Sequence, residues 1–301
     1  MRDQKEARRF GARASVVVLG LAVTAAVAAP ASPASAAVPG LVRISATSAL
    51  NSNDVRTVTA TCPVGKVLTG TGYQLNGAAG EAVVDDLRPN GGPGTAPTAV
   101  TVGAFEADAF AGDWSVSAFA ICANPVAGLV RVAAVSTNSS NNFRTITAAC
   151  PAGKVLTGTG FELNGATGEA VVDDLRPNGG STTAPTSVNV GAFETDATTR
   201  NWDVTAYAIC ASALPGLVRA SAVSANSSAD FRSVTTTCPG GKVLTGAGFE
   251  LNGATGEVVV DDFRPSGGAA TAPTSVTAGG FEEDAFAGNW DNTAYAICAT
   301  P

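Results

Sequence analysis

The chain contains no histidine, a single methionine, three tyrosines and only four lysines. Without imidazole there is no Ser-His-Asp or Cys-His relay, no imidazole base working near neutral pH and no histidine-held metal. The G-x-S-x-G turn of many hydrolases is missing as well. A two-carboxylate glycosidase would still be chemically open, but its acids must flank a cleft, and a short repeated unit has little room for one. The sequence is therefore read as non-enzymatic. Long apolar runs are scarce too. The one such stretch, residues 14–29 (ASVVVLGLAVTAAVAA), falls short of the roughly 20 residues that a membrane-spanning helix needs. No amphipathic helical pattern follows it.

That stretch belongs to a leader-like segment. Arg2, Lys5, Arg8, Arg9 and Arg13 precede it, and Pro30 and the small-residue run Ala34-Ser35-Ala36 follow. A basic start, an apolar middle and an A-x-A end are the layout of a secretory signal peptide, so residues 1–36 are expected to be cleaved after Ala36 and the protein to be extracellular. Beyond Ala36, 13 Lys and Arg face 23 Asp and Glu, a net charge of −10. So acidic a chain is not expected to hold a polyphosphate, which argues against nucleic acid as a partner, and anionic membrane surfaces are disfavoured for the same reason.

What is abundant is glycine, and it recurs in a fixed frame. VLTGTGYQLNG at 67–77 returns as VLTGTGFELNG at 155–165 and as VLTGAGFELNG at 243–253, each 88 residues after the last. The frame is gapless, and it opens on Gly40-Leu41-Val42-Arg43, Gly128-Leu129-Val130-Arg131 and Gly216-Leu217-Val218-Arg219. The repeats are thus 40–127, 128–215 and 216–301. Each reads as six strands, in the first copy Leu41–Thr47, Arg56–Cys62, Val67–Leu75, Glu81–Leu87, Ala99–Glu106 and Trp114–Cys122. Period-two alternation such as Val58, Ala60, Cys62 and Trp114, Val116, Ala118, Ala120, Cys122, punctuated by Asn, Gly and Pro turns, is the strand signature. The expected fold is all-β: three tandem antiparallel sandwich or barrel modules, or alternatively one pseudo-threefold, β-prism-like body. Gly70 and Gly72 lie two apart on one strand face, where a neighbouring backbone could come close.

Six cysteines at 62, 122, 150, 210, 238 and 298 keep an internal spacing of 60 in every copy. In an exported protein they read as disulfides, and equal treatment of the copies gives Cys62–Cys122, Cys150–Cys210 and Cys238–Cys298. The competing set joins Cys122 to Cys150 and Cys210 to Cys238, leaving Cys62 with Cys298.

Four cations recur in each copy, Arg43, Arg56, Lys66 and Arg88 in the first, and pairing within the unit is expected, for example Arg88 with Asp86 or Glu81. The candidate contact surface is the segment EADAFAGDW at 106–114, with ETDATTRNW at 194–202 and EEDAFAGNW at 282–290. Its residues are Glu106, Asp108, Phe110 and Trp114; Glu194, Asp196 and Trp202; Glu282, Asp284, Phe286 and Trp290. The tryptophans read as packing over the disulfides or as platforms for a sugar ring, with Glu106 and Asp108 accepting hydroxyl hydrogen bonds. Glu106 and Asp108 could alternatively share a calcium ion, although no EF-hand spacing is present. No other cofactor is indicated.

CPAGKVLTGTG at 150–160 with NWDVTAYAIC at 201–210 resembles a family of exported tandem-repeat proteins from actinomycete-type bacteria, over nearly all of residues 40–301. That resemblance implies export and repetition and brings no activity with it. Cys-Pro-x-Gly followed by glycine-rich strands is also similar to threefold β-prism proteins of the egg vitelline outer layer type. The expected function is multivalent binding of cell-wall or environmental polysaccharide. The alternatives are a structural, envelope-associated protein and a secreted inhibitor or competition factor.

Overall fold

In a computed structural model, residues 38–301 are described, and all regular structure in them is β. The signal-peptide reading of residues 1–36 lies outside the described residues. The first repeat supplies β1 (Val42–Thr47), β2 (Val55–Thr61), β3 (Val67–Asn76), β4 (Ala82–Pro89), β5 (Ala99–Glu106) and β6 (Ser115–Ala123). The second supplies β7 (Val130–Val135), β8 (Phe143–Ala149), β9 (Lys154–Asn164), β10 (Ala170–Pro177), β11 (Ser187–Glu194) and β12 (Asp203–Ser212). The third supplies β13 (Val218–Val223), β14 (Phe231–Thr237), β15 (Val243–Asn252), β16 (Val258–Pro265), β17 (Ser275–Glu282) and β18 (Asp291–Ala299). The six strands read from the first copy all form, with ends shifted by no more than two residues.

Three six-stranded antiparallel sheets result, and each is built from two repeats. Their orders are β1-β6-β3-β16-β17-β14, β13-β18-β15-β10-β11-β8 and β7-β12-β9-β4-β5-β2. Repeat 1 therefore shares a sheet with repeat 2, repeat 2 with repeat 3, and repeat 3 with repeat 1. Each seam is short: Leu87 faces Phe161, Leu175 faces Phe249 and Phe263 faces Tyr73. Three copies of one β-module are present, arranged as the single pseudo-threefold body that was the alternative expectation. Among the described residues no sheet closes into a barrel. Hydrophobic patterning sets which face of a strand is buried but not which strand lies beside it, so both arrangements were compatible with the same alternation.

The strands β3, β9 and β15 meet at the pseudo-threefold axis, and here the repeated glycines find their use. A Cβ on Gly70 would lie 2.3 Å from the Thr245 carbonyl oxygen, one on Gly158 2.1 Å from that of Thr69, and one on Gly246 2.2 Å from that of Thr157. Backbone thus packs on backbone in a closed cycle. Thr71 donates its hydroxyl to the Thr159 carbonyl at 2.7 Å, and Thr159 donates to Ala247 at 2.6 Å; the third position is alanine, so the cycle stops there. Next along the axis, Tyr73 packs edge-on against Phe161 and Phe249, with centroids 6.4 and 6.5 Å apart. Its hydroxyl donates to the Val260 carbonyl at 2.9 Å, which satisfies a polar group in an apolar centre.

Each repeat is closed by its own cystine, Cys62–Cys122, Cys150–Cys210 and Cys238–Cys298. The outer edges of β1, β7 and β13 are covered by the turn after the fourth strand of the preceding repeat. Arg131 N–H donates to the Thr95 carbonyl, and Arg219 N–H and Arg43 N–H donate to Gly180 and Gly268. This uses up edge groups that would otherwise invite another chain.

Candidate functional site

The segment at 106–114 is a built loop whose organiser is Glu106. One of its carboxylate oxygens accepts the Trp114 indole N–H at 2.9 Å and the other the Phe110 backbone N–H at 3.1 Å. Glu194 does the same for Trp202 and Thr198, and Glu282 for Trp290 and Phe286. Trp114, Trp202 and Trp290 have no exposed surface. Arg56 lies over Trp114 at 4.8 Å and Arg144 over Trp202 at 5.2 Å, and each donates its Nε to the carbonyl of that same tryptophan. These indoles present no face to a sugar ring, so the tryptophan platform is not part of an open site. The glutamates are held by the indole and a backbone N–H, and Glu106 and Glu194 still line surface hollows beside Asp108 and Glu257. The sequence showed the residues but not that Arg56, fifty-eight positions away, closes over the ring. Phe110 and Phe286 are half-buried and fold back over Gly112 and Gly288.

Asp108, Asp196 and Asp284 are exposed. They gather at one end of the body around Glu283, whose carboxyl is pushed up to about 7 by its own burial first and then by Asp196, Asp284, Asp108 and Glu257. Among the described residues, no group of three or more acidic or cysteine side chains is arranged to hold a metal ion, so the calcium reading gains no ligand set.

The recurrent cations behave differently from expectation. Arg88 pairs with Glu162 of the next repeat at 2.8 Å, and Arg176 with Glu250 at 2.8 Å; these cross-seam pairs replace the pairing expected within the unit. In the third sheet seam glutamine stands in, and Arg264 donates to Gln74. Several of the other cations serve main-chain carbonyls: Arg43, Arg131 and Arg219 reach Pro265, Pro89 and Pro177 of the neighbouring repeat, and Lys66 reaches Gly40. Arg131 and Arg219 also lie over the rings of Tyr207 and Tyr295 at 4.7 and 4.6 Å. Each tyrosine donates its hydroxyl to the seam glutamate, and burial followed by that hydrogen bond pushes its phenol well up.

The result is an outward-facing polar row across each sheet, arginine–aromatic–glutamate or glutamine–arginine. In the sheet shared by repeats 2 and 3 it lines a groove of about 490 Å³, walled by Thr147, Arg176, Asn178, Asn189, Arg219 and Tyr295. A second groove of about 350 Å³ sits at the start of β8, walled by Ser136, Thr137, Ser139, Asn141, Phe143 and Thr145 over buried Arg144. Asn189 links the two, because its amide donates to the hydroxyls of Thr145 and Thr147. Neither groove was found from the sequence. The signal was nevertheless there: Ile146 and Ala148 fix the phase of β8, and that phase turns Arg144 inward and Phe143 outward, against their polarity.

Beneath this surface, Asp85, Asp173 and Asp261 occupy the bulges of β4, β10 and β16. Burial first, and then the adjacent Asp86, Asp174 or Asp262, pushes each carboxyl up to about 8. They are neutral acids at pH 7, and each leaves one buried carboxyl oxygen without a hydrogen-bond partner among the described residues.

Comparison with protein-family models gives no match, and comparison with curated proteins gives none either.

Proposed function

We propose that the protein is an extracellular, non-enzymatic binder of polysaccharide that presents repeated contact surfaces on the sides of one closed body. The observation that carries this reading is the groove on the sheet shared by repeats 2 and 3. Two guanidinium groups, two amides, two hydroxyls, a proline and a tyrosine line it, a set matched to a hydroxyl-rich chain rather than to an apolar ligand. The 88-residue frame places Arg88, Asn90, Arg131 and Tyr207 at the matching positions of the sheet shared by repeats 1 and 2. Weak sites held at fixed spacing on one rigid body gain apparent affinity for a repeating polymer by about 10²–10⁴. Three disulfides, each closing its own repeat, agree with life outside the cell.

The test is electrophoresis of the full chain through gels containing hydroxyethylcellulose, xylan, glycol chitin or polygalacturonate. At least one polymer should retard it, and Arg88→Ala with Arg176→Ala should weaken that retardation. Both side chains are nearly half exposed and their ion pairs contribute at most about 1 kcal/mol, so folding should survive. A second reading, an envelope-associated structural protein, draws on the recurrent arginines that serve the molecule's own carbonyls. Self-association on sizing with no retardation in any gel would favour it.

A further inference from the structure

The three corners where the first and second strands of each repeat meet are not equivalent, and the difference bears on ligand chemistry. At the corner of repeat 2, Phe143 is 41% exposed. It stacks on Phe193 with centroids 4.5 Å apart, which fixes the ring while leaving much of it open. Around it stand the exposed side chains of Thr137, Asn141 and Thr145 and the half-buried Ser136 and Ser139. The only charge in the groove wall is Arg144, which is buried, with Nε on the Trp202 carbonyl, Nη1 on that of Phe143 and Nη2 on Ser139. The groove is thus electrically spent, whereas two other surface hollows are lined by acids, Asp54, Glu106 and Asp108 in one and Glu194 and Glu257 in the other, and the neighbouring groove by Arg176 and Arg219.

The walls are held in advance. Ser139 and Trp202 exchange both backbone hydrogen bonds, Ser136 accepts the Val204 N–H at 3.0 Å, and Asn138 donates to Asp203 at 2.8 Å. A loop already fixed loses little entropy when a ligand settles on it. The other two corners each lack half of the set. Repeat 3 keeps an exposed ring, Phe231, stacked on Phe281 at 4.4 Å, but carries Ala225 and Ala229 where Thr137 and Asn141 stand. Repeat 1 keeps Asn53 for Asn141 and has Asn51 for Ser139, but carries Ala49 where Thr137 stands and Val55 in place of the ring.

We infer that the corner groove of repeat 2 binds one uncharged pyranose unit, the apolar face of the sugar on Phe143 and its hydroxyls on Thr137, Asn141 and Thr145. An aromatic ring with uncharged hydroxyl and amide neighbours matches the two surfaces of such a sugar, and the absence of a free charge disfavours an acidic one. Through Asn189 the groove runs on into the Arg176–Arg219 groove of the same sheet, so this face would carry an extended chain with its neutral end at Phe143. The inference rests on the polysaccharide reading above and names the site and unit that the reading leaves open.

The experiment uses the full chain in the same gels. Retardation by at least one of the neutral polymers hydroxyethylcellulose, xylan or glycol chitin is expected. Phe143→Ala should weaken it about tenfold, since a lost aromatic contact of about 1.5 kcal/mol converts to that factor. Phe143→Tyr should keep it, Asn141→Ala should weaken it, and Phe231→Ala should change it little. Grafting Ala225→Thr with Ala229→Asn should strengthen it by completing a second corner. Equal retardation of wild type and Phe143→Ala would overturn the inference and leave the polysaccharide reading standing, as would retardation by polygalacturonate alone. No retardation in any gel would remove both. Unchanged thermal unfolding of Phe143→Ala separates loss of binding from loss of fold.

Discussion

Replacing Gly158 by alanine tests the closed cycle of strands at the axis. The added Cβ would sit 2.1 Å from the Thr69 carbonyl oxygen and 2.7 Å from the Gly70 Cα. Ordinary contacts need more than 3 Å, so one strand must move by about 1 Å, and both colliding partners are main chain that cannot swing aside. Overpacking of a tight interior costs roughly 1–3 kcal/mol for each inserted carbon, and backbone on both sides puts this case at the upper end, about 3 kcal/mol. For a chain of this size that lowers the melting temperature by about 6–12 °C. Gly92→Ala is the internal control, because nothing lies within 4 Å of its Cβ position. It should stay within about 0.5 kcal/mol of wild type, as surface substitutions usually do. Gly70→Ala and Gly246→Ala should each repeat the loss, and the triple variant should fail to fold, since three such costs approach the whole stability of a typical domain, about 5–15 kcal/mol. Urea unfolding followed by near-ultraviolet dichroism reads all of these. A Gly158→Ala protein melting within about 2 °C of wild type would refute the axial packing, because the repeats would then be free to stand apart.

Stability should fall as pH rises from about 4 to about 8. The carboxyls of Asp85, Asp173 and Asp261 keep their protons up to about 8 in the folded chain and release them near the ordinary 3.8 when unfolded, so in that window the folded state binds more protons. Each group contributes a slope of at most about 1.4 kcal/mol per pH unit, and Asp173→Asn should flatten the melting-temperature profile measured by scanning fluorimetry. Glu194→Ala should cost about 2–3 kcal/mol in urea unfolding, because it strands the buried Trp202 indole and the Thr198 N–H, whereas Glu194→Gln should keep most of the stability. Replacing Cys150 and Cys210 by serine should cost about 4 kcal/mol, the loop-closure value for a crosslink spanning 60 residues, and should leave the sheets in place by far-ultraviolet dichroism.

Much of the fold was legible along the chain because it is encoded locally. Alternation around Val58, Ala60 and Cys62, turns at Asn76-Gly77 and equal cysteine spacing are all properties of neighbouring residues, and strands and cystines formed where those signals placed them. Gly70 and Gly72 also announced close backbone approach, though not which backbone. The seams were silent, since Leu87 against Phe161 looks like any apolar strand residue until its partner is known. The candidate site fared worse for a related reason. Trp114 and Glu106 stood out by residue type, yet they satisfy each other, while Phe143 lies one position ahead of the strand that the repeat frame places at 144–150. Exposure follows from the phase of the strand, and the inward Arg144 beside the outward Phe143 marks the corner more clearly than any rare residue does.

The seams close the circle from repeat 3 back to repeat 1, and the Val38 N–H reaches the Thr300 carbonyl at 3.4 Å, so the start and the end of the described residues lie side by side. The covalent links between repeats then do no architectural task that the sheets do not already perform. Joining residue 301 to residue 38 and reopening the backbone between repeats should yield circular permutants of equal shape, and a gene for one repeat alone should encode a homotrimer.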